Sequence, residues 1–85
     1  MSTKALTKLR LPGQAKMDVA KREKERRRRL GITQEALARK EGVSLGSLRR
    51  FEQTGDISFA SLVSLCYALG CSDDLAAIFS WQASA

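Results

Sequence analysis

An all-α domain of five short helices is the fold that this 85-residue chain predicts, and three observations predict it. Thr33, Ser44, Ser58 and Ser72 each stand just ahead of a helical apolar pattern, where an N-cap belongs. Gly31, Gly42, Gly55 and Gly70 stand where such patterns stop, compatible with a left-handed residue closing each helix. The composition is 44% hydrophobic but only 6% aromatic, so the core must come from Leu, Ile, Val and Ala.

Residues 1–14 read as an N-terminal arm, in which Leu9 and Leu11 alternate with Lys8 and Arg10 before Pro12-Gly13 stops the pattern. A strand this short needs a partner, so the arm either exchanges with a second copy or stays flexible. A domain over residues 15–81 comes next. Ala15 to Leu30 has neither Pro nor Gly and is rich in Ala, Lys, Arg and Glu, which makes a first helix with a thin apolar stripe of Val19, Ala20 and Leu30. Three hydrophobic staples pair the residue before a cap with the fourth helical residue: Ile32 with Leu37, Val43 with Leu48, and Ile57 with Leu62. They fix the starts of helices two, three and four. Leu62, Leu65, Cys66 and Leu69 give helix four a buried face. Asp73 and Asp74 open helix five, whose apolar side holds Leu75, Ile78 and Phe79, with Trp81 a candidate fourth member, and residues 82–85 form a tail.

Charge is distributed unevenly. Residues 1–30 carry a net +8, residues 31–55 a net +1 and residues 56–85 a net −3, within a total of +6. A dipolar domain of this kind offers one end to a polyanion. The complete lack of His removes His-based general bases, nucleophile systems and metal ligation. Cys66 and Cys71 lack the further ligands of a metal site and read as small buried apolar thiols. No cofactor is expected, and an enzyme is the weakest reading. The longest uncharged stretch, 57–72, is short and carries several Ser and Gly, so no membrane span is expected. The basic N-terminus lacks an apolar signal core, which makes the cytoplasm, in company with the nucleoid, the expected address.

Residues 34–53 place one helix, a tight turn at Gly42-Val43-Ser44 and a second helix in close succession. Ala38 has almost no side chain where the two helices cross, and Gly42 gives the turn its freedom. This is the arithmetic of a helix-turn-helix. The run LGITQEALARKEGVSLGSLRRFEQTG resembles the helix-turn-helix domain of the Cro and phage-repressor (XRE) class, over about residues 16 to 80. The downstream segment, with ISFASL, ALG and DDLAAIF, further resembles antitoxins of the HipB type. The resemblance implies a five-helix lambda-repressor-like fold with a recognition helix over about residues 45–53. Glu23 and Glu41 depart from it, occupying places where the family often has apolar residues. Either the first helix packs loosely or these carboxylates find cationic partners.

A helix of this kind enters the major groove and meets base edges. Ser44, Leu45, Gly46, Ser47, Arg49 and Arg50 are expected to face outward, opposite Leu48 and Phe51. The resemblance makes Leu45, Gly46 and Arg50 base-facing: Arg50 for guanine, Leu45 for a thymine methyl, Gly46 for close approach. Ser44 and Arg49 read as backbone contacts. Gln34 is placed to donate to a phosphate with the free amides of its helix start. Each has a plainer alternative: Leu45 as a surface leucine, Arg49 and Arg50 as a solvated pair, Gln34 as helix-start chemistry. In the run Lys24, Arg26, Arg27, Arg28 and Arg29, Arg26 is divided between a solvated face and DNA contact. The family pairs the Arg matching Arg27 with the Glu matching Glu52, leaving Arg28 and Arg29 for phosphates.

Together these features point to a sequence-specific repressor acting as a homodimer on a palindromic operator in double-stranded DNA. It is expected to be the autoregulatory antitoxin of a toxin-antitoxin operon, with a HipA-like kinase toxin as a further partner. The alternatives are a phage or mobile-element repressor, a toxin-binding module without specific DNA binding, and a non-specific basic RNA binder.

Overall fold

The computed structural model describes residues 11–81, and no strand occurs among them. They form four α-helices: α1 (Pro12–Arg29), α2 (Gln34–Glu41), α3 (Leu45–Thr54) and α4 (Phe59–Ala68). A 3-10 helix over Ser72–Ala77 completes the order. α3 packs on α1 and α2, α2 also packs on α4, and the 3-10 helix packs on α4.

Local chemistry sets the boundaries of the middle helices. The hydroxyls of Thr33, Ser44 and Ser58 accept hydrogen bonds from the N–H groups of Ala36, Ser47 and Ser61, at 3.0–3.1 Å. Each satisfies one of the orphan donors of a helix start. The six staple residues all enter the core or pack against it: Leu37, Val43 and Leu48 are buried, while Ile32, Ile57 and Leu62 are partly covered. Ala20, Ala38, Phe51, Leu65 and Leu69 complete the buried apolar set. Cys66 and Cys71 are free thiols of intermediate exposure rather than fully buried ones, and partial burial pushes the Cys66 thiol up.

Both ends of the domain correct the sequence reading. α1 begins at Pro12 rather than Ala15, so residues 12–14 of the expected arm belong to the helix. Pro12 starts the helix instead of stopping a strand, because at the first helical position its missing N–H would be unbonded anyway. The expected strand exchange falls mostly on residues 1–10, outside the described part. Leu30, expected in the α1 stripe, is exposed, and the buried face of α1 consists of Ala20, Glu23 and Arg27.

At the other end, helix five is a 3-10 helix in which no residue is fully buried, and Ser72 begins it rather than capping it. With three residues per turn, positions 72, 75 and 78 align along one side. Leu75 and Ile78 accordingly line one groove against α1 and α4, whereas Phe79 leaves that side. Phe79 has a φ of 61° and is wholly exposed, and Trp81 is 86% exposed. Neither joins the packed face that the apolar spacing predicts.

Candidate nucleic-acid interface

The site is built around how α3 is held. Leu48 and Phe51 anchor one side of α3 in the core. Gly42, with φ 71°, turns the chain between α2 and α3, and Ala38 lets the two helices approach. Gly55, with φ 84°, ends α3 directly against α1: a Cβ there would lie 2.9 Å from the Lys16 carbonyl carbon.

A polar brace adds to the apolar anchor. Arg27 of α1 donates from Nε to Glu52 Oε2 and from Nη2 to Glu52 Oε1, both at 2.8 Å. Its Nη1 donates to the Ile32 carbonyl at 3.0 Å. Gln34 Nε2 also donates to Glu52 Oε1, at 3.0 Å. Thus α1, α2 and α3 meet at one carboxylate. Burial alone would push Glu52 up, but hydrogen bonds from Arg27, Glu23 and Gln34 outweigh it and hold the carboxyl below its ordinary value. A forked guanidinium-carboxylate contact of this kind fixes orientation as well as distance.

The opposite side of α3 is open. Ser44, Gly46, Ser47, Arg49 and Arg50 lie on it, with Ser44, Ser47, Arg49 and Arg50 offering polar atoms to solvent. The Ser44 hydroxyl, besides capping α3, donates to the Ser47 hydroxyl at 2.8 Å. Leu45 departs from the expected outward set: it is half-buried and packs against the core, because its position one turn before Leu48 brings it to the edge of the apolar side. Gln34 is likewise half-buried, and its bond to Glu52 directs it at the helix seam.

Arg28 and Arg29 lie exposed on the last turn of α1, where Arg29 pairs with Glu25 at 3.3 Å. They share a shallow basic hollow with Lys21, Arg22 and Lys24. Arg26 does something else. Its Nε donates to the Leu69 carbonyl at 2.7 Å and its Nη2 to the Gly70 carbonyl at 3.2 Å, closing the end of α4.

The sequence reading missed Gln53, exposed on α3 one turn beyond Arg49 and Arg50. The three- and four-residue spacing from those arginines was the available signal. It also missed Asp56 and Glu35, which contact Arg50 and Arg49 and whose positions depend on the folded backbone.

Comparison with known families agrees with this geometry: a helix-turn-helix family model matches residues 24–75, which covers α2, the turn and α3 entirely. The chain belongs to the helix-turn-helix family. Within it, the match is to the Cro/C1-type, or XRE, class of DNA-binding transcription regulators. Neither a search of curated proteins nor one of solved structures finds a match to the chain. Among the described residues of this helix-turn-helix protein, no helix is long and apolar enough to cross a membrane.

Proposed function

We propose that this helix-turn-helix protein is a sequence-specific transcriptional repressor that binds a palindromic operator as a homodimer. The observation that carries the reading is the two-sided character of α3. One side is fixed by Leu48, Phe51 and the Arg27–Glu52 brace, while the other presents Gly46, Ser47, Arg49 and Arg50. A helix held this firmly can present side chains in a fixed register to base edges in the major groove. Arg50 is the reader of guanine, Gly46 allows close approach, and Ser44, Arg28 and Arg29 contact the backbone. Half-buried Leu45 retains an edge for a thymine methyl, and Gln34, its side chain turned to Glu52, opens a helix start whose free backbone amides seat α2 on a phosphate.

One such helix reads only a few base pairs, so useful specificity calls for two copies about 34–36 Å apart. The exposed Ile78, Phe79 and Trp81 supply an apolar surface for pairing the copies. The autoregulatory antitoxin role rests on the HipB-like pattern of the segment from Ile57 onward, which leaves the acidic end of the chain for a kinase toxin.

Fluorescence anisotropy on the palindrome of the chain's own promoter and on a scrambled duplex, each at two salt concentrations, tests the repressor. Preference for the palindrome should survive raised salt and collapse in Arg50→Ala. Equal binding to both duplexes would overturn specific repression. Binding to neither duplex, with a stable complex with the neighbouring gene's product, would leave an interaction module.

A further inference from the structure

Both arginines on the open side of α3 are already paired with carboxylates from flanking segments. Arg49 Nη2 lies 3.4 Å from Glu35 Oε2 in the first turn of α2, and Arg50 Nη2 lies 3.3 Å from Asp56 Oδ2 just after α3. The other Asp56 oxygen takes the Lys16 ammonium of α1. The one acid within α3, Glu52, is engaged by Arg27. Three cations thus meet two carboxylates here, so the α3 surface offers N–H donors whose charge is reduced to a net +1 shared with Lys16. The surplus lies on α1, which carries eight Lys/Arg against three acids.

Asp56 is held in place. Its N–H donates to Thr54 Oγ1 at 3.1 Å, and the Thr54 hydroxyl donates to the Arg50 carbonyl at 2.8 Å. Gly55 packs against the α1 backbone immediately before it. Hydrogen bonds from Lys16 and Arg50 keep its carboxyl below the ordinary value, so it is ionised near neutral pH.

We propose that Asp56 and Glu35 are specificity-determining residues, which offset part of the charge of Arg50 and Arg49 without consuming all their donors and so bias α3 toward base edges over phosphates. The inference rests on the reading of α3 as the base-reading helix. A guanidinium has five N–H donors, and a single bond to a carboxylate leaves a free edge for the O6 and N7 acceptors of guanine. Those acceptors are uncharged and tolerate the nearby carboxylate. A phosphate does not, because it meets a partly compensated cation beside a fixed negative charge. Non-specific binding consists almost wholly of phosphate attraction, so the two carboxylates weaken competitor sequences more than the operator.

The test uses the full chain, a random-sequence duplex, and a duplex that the unaltered chain selects from a random pool. Anisotropy titrations over a range of salt compare Asp56→Asn, Glu35→Gln and Asp73→Asn, with thermal melts to verify folding. Asp73→Asn removes the same charge from the 3-10 helix and controls for net charge. Asp56→Asn and Glu35→Gln should each tighten random-duplex binding several-fold, steepen its log-log salt slope by about 0.9, and reduce the ratio of selected to random affinity. An unchanged random-duplex affinity, or a shift equal to that of Asp73→Asn, overturns the proposal. So does loss of selected-duplex binding without gain on the random one, which would make the carboxylates orienting groups. A pool that enriches no sequence overturns the repressor reading itself and the specificity role with it.

Discussion

Glu23 occupies the buried side of α1, with only 7% of its surface exposed. Ionised, it would stand unpaired, since no group among the described residues donates to either of its oxygens. Burial, together with hydrogen bonding to and repulsion from Glu52, pushes its carboxyl up to about 8. At neutral pH Glu23 is thus protonated and can donate to Glu52. The unfolded chain ionises it near 4.5, so between about 4.5 and 8 folding takes up a proton. Stability should fall as pH rises through that window, by up to ~1.4 kcal/mol per pH unit. Glu52 acts in the opposite sense: its lowered pKa gives stability that is present above its unfolded value and lost as pH falls through the folded one. Thermal melts should show a lower midpoint at pH 8 than at pH 5, and Glu23→Gln should remove most of the difference; a wild-type midpoint that does not move would contradict the assignment. Glu52→Gln should cost ~3–5 kcal/mol in urea denaturation, because it leaves Arg27 buried beside a neutral group. At this scale the family resemblance anticipated Arg27 with Glu52. It offered two outcomes for Glu23, loose packing or a cationic partner, and the structure instead places it against another carboxylate.

Helix ends were legible because the interactions that make them are local. A Ser or Thr hydroxyl bonding an N–H three residues on needs no tertiary information, and Thr33, Ser44 and Ser58 all do so. The last helix was not legible in the same way. Apolar residues at 75, 78 and 79 suit an α-helix, but packing on α4 leaves only six residues in 3-10 winding, and Phe79 turns away. Pro12 was ambiguous for a related reason, since a proline that ends a strand and one that begins a helix are distinguished only by the conformation of the residues after them. The C-terminal ends of α2 and α3 also allow a graded prediction. Gly42 and Gly55 both have positive φ, but a Cβ at Gly42 meets open space, whereas one at Gly55 collides with the Lys16 backbone. Gly42→Ala should cost about 1 kcal/mol from the left-handed backbone alone, and Gly55→Ala should cost clearly more. Denaturant titration of the two variants side by side decides it, and equal losses would mean that the α3–α1 contact is soft.

For the whole molecule, the same asymmetry that concentrates cations on α1 leaves the acidic, aromatic end unoccupied by the chain's own core. Phe79 and Trp81 are each able to bury ~150–250 Å². Two copies of that pair give about 600–1,000 Å², short of the ~1,200–2,000 Å² of a stable interface. The groove lined by Leu62, Leu65, Leu75 and Ile78, rimmed by Arg22 and Asp74, adjoins them and can supply the remainder. A two-fold mate would set the basic rim of one copy against the acidic rim of the other, as a self-complementary patch requires. Sedimentation velocity should therefore find dimers for the unaltered chain and monomers for Phe79→Ser with Trp81→Ser. That double variant should keep its fold, because both side chains lie outside the core, and should bind a half-site duplex normally while losing its advantage on the palindrome. A double variant that still sediments as a dimer would move the interface away from this end of the chain and leave the paired spacing of two α3 helices to be set by another surface.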